Sequence, residues 1–122
     1  MRNLLLLIAL MAADGPASRW SRAEYAGVFT DPALNEVSGL AASHVHPGIY
    51  WAQNDGDNGS RLTAIRADGS PVATLQIEGV ENTDWEDIDS FELDGKHYLL
   101  VADTGDNGGI RKTLNQIGRA HV

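Results

Sequence analysis

Residues 48–59 and 96–108 are two versions of one segment. Gly48-Ile49-Tyr50-Trp51-Ala52-Gln53-Asn54-Asp55-Gly56-Asp57-Asn58-Gly59 returns as Lys96-His97-Tyr98-Leu99-Leu100-Val101-Ala102-Asp103-Thr104-Gly105-Asp106-Asn107-Gly108. Tyr50 and Tyr98 are 48 residues apart, and the Asp-Asn-Gly endings are 49 apart, so one inserted residue reconciles them. Ser38-Gly39-Leu40-Ala41 likewise stands 48 residues before Glu86-Asp87-Ile88-Asp89, and each unit therefore opens with a short strand ahead of the apolar one. A chain with this period builds one supersecondary unit twice and buries the face of each unit against the next.

The punctuation inside the unit is that of antiparallel hairpins. His46-Pro47-Gly48, Asp68-Gly69 and Asp94-Gly95 each separate two extended runs. Ala73, Leu75 and Ile77 alternate with Val72, Thr74 and Gln76, which predicts a half-buried strand, whereas the continuous apolar run from Tyr98 to Ala102 predicts one covered on both faces. Residues 37–80 thus hold four strands, at 38–43, 48–53, 61–66 and 72–78. Four strands per unit of about 48 residues is the signature of a β-propeller blade. The expected class is all-β, with residues 35–115 supplying about two blades of a propeller that continues beyond them. Unpaired sheet edges would make so short an array marginal or aggregation-prone on its own.

The two ends read differently from this body. Met1-Arg2-Asn3 followed by the apolar run Leu4 to Ala13 and then small residues is the pattern of an export signal, with cleavage expected after Ala17. The run is too short to span a bilayer, which takes about 20 apolar residues. Residues 18–34 form a lead-in. At the other end, Gln116 to Val122 is the peptide that a common sequencing adapter encodes, so residues 116–122 are expected to be foreign and the natural chain to run on past 115, leaving an N-terminal fragment. The expected location is secreted or periplasmic, where calcium is available to weak extracellular sites.

Charge and cysteine content remove several function classes. With 9 Lys and Arg against 17 Asp and Glu, a net charge of -8, the chain has no basic footprint for nucleic acid or anionic lipid. With no cysteine it holds no disulfide, thiolate metal site, redox pair or lipidated N-terminal Cys. No Gly-x-Ser-x-Gly elbow occurs, so a Ser-His-Asp hydrolase has no support.

The chemistry lies in the acids. Residues 78–94 carry eight of the 17 carboxylates and no Lys or Arg, a density that must be solvated, protonated or neutralised by a cation. Turn chemistry explains part of the pattern, because Asp, Asn and Gly occupy tight turns by preference. A helix-flanked calcium loop is excluded, since counting twelve from Asp55 puts Arg66 where a bidentate Glu is needed. Glu36 and Glu86-Asp87 stand at the starts of first strands, which in a propeller line the channel, so acids of successive blades converge there. Hard oxygen ligands on several short elements suit calcium, and Asn54, Asp55 and Asp103, at the ends of second strands, join the candidate set. The competing role for Glu86 and Asp87 is bonding backbone amides of the neighbouring unit. Trp51 and Trp85 read as packing residues, and His44 and His46 as part of a surface turn that could at most form a two-His site.

The combination Glu36-Val37-Ser38-Gly39-Leu40, Trp51-Ala52-Gln53-Asn54-Asp55, Asp84-Trp85-Glu86-Asp87-Ile88 and Ala102-Asp103-Thr104-Gly105-Asp106-Asn107 resembles a family of secreted bacterial β-propellers, over residues 35 to about 111. More distantly it is similar to esterase-like phytase domains and calcium-dependent lactonase propellers, in which a Glu at a blade start helps to hold a channel metal. That resemblance implies a ligand role for Glu36 and Glu86, and extends to Asn54 and Asp103. The expected function is an exported propeller that binds a divalent cation, Ca2+, in its channel and recognises a small molecule or an extracellular partner. The alternatives are a metal-dependent hydrolase of an ester, lactone or phosphoester, with Glu36, Glu86 and Asp87 as ligands or base, and a propeller whose acids serve structure alone.

Overall fold

The computed structural model describes residues 4–5, 23–56 and 58–121, with backbone alone at 4–5 and 119–121. The export signal read over 1–17 lies, but for residues 4–5, outside the described residues. The order of elements is β1 (Leu4–Leu5), β2 (Gly27–Val28), β3 (Val37–Ala42), β4 (Ile49–Asn54), β5 (Arg61–Arg66), β6 (Pro71–Gln76), β7 (Trp85–Leu93), β8 (Lys96–Asp103) and β9 (Asn115–His121). Every element is a strand, and all pairings are antiparallel: a small β1-β2 ladder, a four-stranded sheet in the order β3-β4-β5-β6, and a three-stranded sheet β7-β8-β9. Among the described residues no helix is long and apolar enough to cross a membrane.

Sequential pairing follows from the turns. Leu93 pairs with Lys96 across Asp94 and Gly95, whose φ values of 51° and 69° are both positive. Two positive φ angles define the hairpin turn whose twist matches that of the strands, and Asp-Gly reaches it at little steric cost. The expected strands at 38–43, 48–53, 61–66 and 72–78 are found within two residues at either end. The strand expected to be half-buried is more exposed than its alternation suggests. β6 is the free edge of its sheet, Ala73 is exposed, and only Leu75 and the following Ile77 pack inward. In β8, Leu99 and Val101 are buried while Tyr98, Leu100 and Ala102 are half-covered.

The two sheets share one apolar core. Ala41 and Leu62 of the first meet Trp85, Ile88, Leu99 and Val101 of the second, with Ile77 between them, and Trp51 and Ile117 at the margin. Trp85 has no exposed surface. A second cluster, Leu34, Ala52 and Ile65, closes the other face of the four-stranded sheet beneath Phe29 and Tyr50. The residues just before β7 also dock on the first sheet, where Ser60 Oγ donates to Val80 O.

β3 and β7 face each other across the gap between sheets. Ser38 Oγ donates to Trp85 O at 2.8 Å, His44 Nε2 lies 3.0 Å from Ser90 O, and Ser90 Oγ donates to Ala42 O. These pairs are separated by 46 to 48 residues. Both strands also carry a β-bulge at the same place. Pairing with β4 skips from Val37 to Gly39, and pairing with β8 skips from Trp85 to Asp87, so Ser38 and Glu86 are the extra residues. Buried Gln53 sits against both bulges. With its amide oxygen facing the available donors, it accepts from Gly39 N at 3.2 Å and Asp87 N at 3.3 Å, and its nitrogen donates to Asn54 O at 2.6 Å. Satisfying N–H groups that bulges leave unpaired is what makes a buried amide tolerable here.

Candidate metal centre

β4 ends at Asn54 and β7 begins at Trp85. At this junction one carboxylate oxygen each from Asp55, Asp84 and Glu86 lie within 4.8 Å of one another. Backbone and amide contacts bring them there. Asp55 N donates to Glu36 O at 2.9 Å. The Asn82 side chain donates to Asp55 O at 2.9 Å and accepts from Trp85 N at 3.1 Å, tying the end of β4 to the start of β7. Asp84 is held at both main-chain ends, its N–H donating to Asp103 Oδ1 at 3.0 Å and its carbonyl accepting from Gly105 N at 3.0 Å. Glu86 is presented by its bulge, a device that re-aims a side chain otherwise fixed by strand alternation.

Two glycines flank Asp84. A Cβ on Gly105 would stand 2.2 to 2.4 Å from its carboxyl atoms, and a Cβ on Gly56 would stand 2.7 Å from Thr83 O and 3.3 Å from Asp84 Oδ1. Gly56 and Gly105 are 49 residues apart, and the loops after β4 and β8 that carry them both close on one carboxylate.

The electrostatics are those of crowded anions. Partial withdrawal from water raises the Asp84 carboxyl above its ordinary value; the hydrogen bond with the Asp55 carboxyl and the Asp55 charge push it further, and Arg111 pulls only partly the other way. Glu86 is raised for the same first reason and then by the charges of Asp55 and Asp84. Asp103 behaves oppositely. Its burial works to raise it, but the hydrogen bond from Arg111 and the Asp84 N–H outweigh this and hold it below its ordinary value. Arg111 Nη1 lies 2.8 Å from Asp103 Oδ1 and also donates to Gly105 O at 2.9 Å.

Three clustered carboxylates suit a hard cation. Calcium takes oxygens at about 2.3–2.6 Å, so oxygens on opposite sides of one ion stand about 4.6–5.2 Å apart, and the observed spread fits inside that shell. The centre is not buried, which leaves room for water to complete a shell.

Of the six residues expected as ligands, the structure gathers Asp55 and Glu86 and adds Asp84. Glu36 is engaged elsewhere, its Oε2 accepting from Asn58 Nδ2 at 2.6 Å. Asn54 is a structural amide, accepting from Glu36 N at 3.3 Å and donating to Ala33 O at 2.6 Å and Asn35 Oδ1 at 3.2 Å. Asp87 is exposed, and its carboxylate accepts from the adjacent Ile88 N. Asp103 is committed to Arg111 and the Asp84 N–H. His44 stacks on His97, with ring centroids 6.3 Å apart. The signal for Asp84 was present in the repeat, because the 48-residue offset that equates Ser38 with Glu86 equates Glu36 with Asp84.

Comparison with known proteins finds no matching family model, no matching curated protein and no matching solved structure.

Proposed function

We propose that the chain forms blades of an exported β-propeller that holds a divalent cation, calcium, between successive units through Asp55, Asp84 and Glu86, and that the bound ion orders the surrounding loops for recognition of a small molecule or extracellular partner. The observation that carries this reading is the convergence of three carboxylates from both units, two of them raised above their ordinary values by withdrawal from water and by their neighbours' charge. Such a cluster stores repulsion that a cation relieves and a proton relieves less fully. The propeller arrangement is supported by the four-stranded first sheet, by the bulges at Ser38 and Glu86, and by β3 lying beside β7 near the repeat offset. The ion would supply charge neutralisation and a fixed point joining the two loops, while Asp84, clamped by Asp103 and Gly105, sets its position.

The test is calorimetric titration with calcium, with thermal melts in calcium and in chelator. A ligand of the native state alone stabilises by about 2.7 kcal/mol at a hundred times its dissociation constant. Binding with a higher melting temperature, both lost in Asp84→Asn, is expected. A melt indifferent to calcium would leave the acids with a structural role only.

A further inference from the structure

The chain contains the tripeptide Asp-Asn-Gly twice, at Asp57-Asn58-Gly59 and Asp106-Asn107-Gly108. Identical tripeptides make equal intrinsic demands, so any difference in their behaviour belongs to the fold. Asn58 is locked, its amide nitrogen donating to Glu36 Oε2 at 2.6 Å, Gly56 O at 2.9 Å and Asp55 O at 3.3 Å. Asn107 and Gly108 are exposed, and among the described residues the Asn107 side chain and the Gly108 N–H make no hydrogen bond. The rest of that turn is held around them, with Gly109 N donating to Asp106 O at 2.9 Å and the Asp106 carboxylate accepting from Ile110 N at 2.9 Å and Arg111 N at 3.1 Å. The reason lies in the unit itself. The residue corresponding to Glu36 is Asp84, which turns toward Asp55, so nothing among the described residues holds the second asparagine.

We propose that Asn107-Gly108 is a self-modification site, where the folded protein deamidates through a succinimide while Asn58-Gly59 stays protected. In the step, the Gly108 backbone nitrogen attacks Asn107 Cγ. A C–N bond forms, the bond from Cγ to Nδ2 breaks, and Nδ2 leaves as ammonia with the proton given up by Gly108. Water then opens the five-membered ring at either carbonyl, leaving aspartate or isoaspartate at position 107. No oxidant, metal or enzyme enters the balance. Glycine on the carboxyl side leaves the attack free of Cβ hindrance, an N–H without a hydrogen bond can serve as the nucleophile, and asparagine is among the thermolabile residues for this reason. The product adds a second carboxylate beside Asp106 in a loop that also carries Arg111 and Lys112, and the isoaspartate form also lengthens its backbone by one atom.

The experiment incubates the folded protein at mildly alkaline pH and follows both tripeptides by peptide mapping with mass spectrometry, with isoaspartate measured by methyltransferase labelling. Asn107 is expected to convert on the order of tenfold faster than Asn58, the scale implied by losing hydrogen bonds of ordinary net strength. In denaturant the two rates should come together. Gly108→Ala, whose added Cβ would meet the Ile110 side chain no closer than an ordinary 3.5 Å, should slow conversion at Asn107 without unfolding the chain. Glu36→Ala should release Asn58 and raise its rate toward that of Asn107. Equal rates in the folded protein, or faster conversion at Asn58, would overturn the proposal, as would a difference that persists in denaturant.

Discussion

The loops that follow β4 and β8 occupy corresponding places and make the same first contact, yet they are finished by opposite chemistry. In one, Asn54 Oδ1 accepts from Glu36 N; in the other, 49 residues later, Asp103 Oδ1 accepts from Asp84 N. A backbone N–H at the start of a strand needs an acceptor, and either side chain supplies it. The remaining valences then divide the loops. The Asn54 amide has protons to donate and gives them to Ala33 O and Asn35 Oδ1. Asp103 has none and carries a charge, so it recruits Arg111 from its own loop. Neutral amides close the first loop, with Asn58 fastened to Glu36, and a part-buried ion pair closes the second, where the Asn107 side chain makes no hydrogen bond among the described residues. Identical geometry at one hydrogen bond therefore says little about what the rest of a loop can do.

Exchanging the two residues is the most direct way to break this comparison, and the two exchanges should differ in size. Asn54→Asp removes the donations to Ala33 O and Asn35 Oδ1 and sets a buried carboxylate against the Ala33 carbonyl, where Arg61 Nη2 already donates at 3.1 Å. With that cation only partly meeting it, a loss of about 3 kcal/mol, the low end for an uncompensated buried charge, is expected. Asp103→Asn keeps an acceptor for Asp84 N and removes only the charged half of the bond to Arg111, which retains Gly105 O, so about 1.5–3 kcal/mol is expected. Denaturant melts of both variants check the order. Equal losses would mean that the loops are less distinct than their contacts suggest.

The flanking glycines sharpen the comparison next. In Gly56→Ala the new Cβ meets the backbone carbonyl of Thr83, which moves only with the chain, so an overpacking loss of about 1–3 kcal/mol is expected. In Gly105→Ala it meets the Asp84 carboxyl group, which can turn away. That variant should keep more of its stability and lose its melting response to calcium, because the carboxylate leaves Asp55 and Glu86. Retained calcium response in Gly105→Ala together with a lost one in Gly56→Ala would reverse the assignment.

What could be read from the residues is what local chemistry decides. Asp94-Gly95 dictates its turn, and the apolar runs at Tyr50 and Tyr98 dictate strands, so the hairpins were legible to within two residues. The burial of β6 was not, because alternation reports which residues could face a core and the edge position decides whether one is there. Asp55 and Glu86 were legible as ligand candidates from their places at strand ends. The bulge that aims Glu86 was not, since it depends on Gln53 reaching two strands at once. Asp84 went unselected because it precedes its strand by one residue and resembles a turn acid, although the repeat offset pairs it with Glu36. Asn54 and Asp103 look alike as oxygen donors in sequence, and only their partners show that one is engaged by Ala33, Asn35 and Glu36 and the other by Arg111 and the Asp84 N–H.

The smallest effect, and the one that best separates the two kinds of acid, is in the sign of the pH response. Asp103 is held below its ordinary value by Arg111, so its contribution is present above the ordinary aspartate range and is lost as the pH falls through its depressed value. Asp84 and Glu86 are raised, so their contribution is fully present below the ordinary carboxylate range and is lost as the pH rises through their elevated values. In chelator, melting temperatures should therefore fall on both sides of a maximum near the ordinary carboxylate range. Asp103→Asn should flatten the acid side and Asp84→Asn the neutral side. Calcium, taking the place of the protons, should lift the neutral side in the parent protein and leave it unchanged in Asp84→Asn, where the cluster no longer has three charges to neutralise. If both variants altered the same side of the profile, the separation between a structural acid at Asp103 and a cation-seeking one at Asp84 would fail.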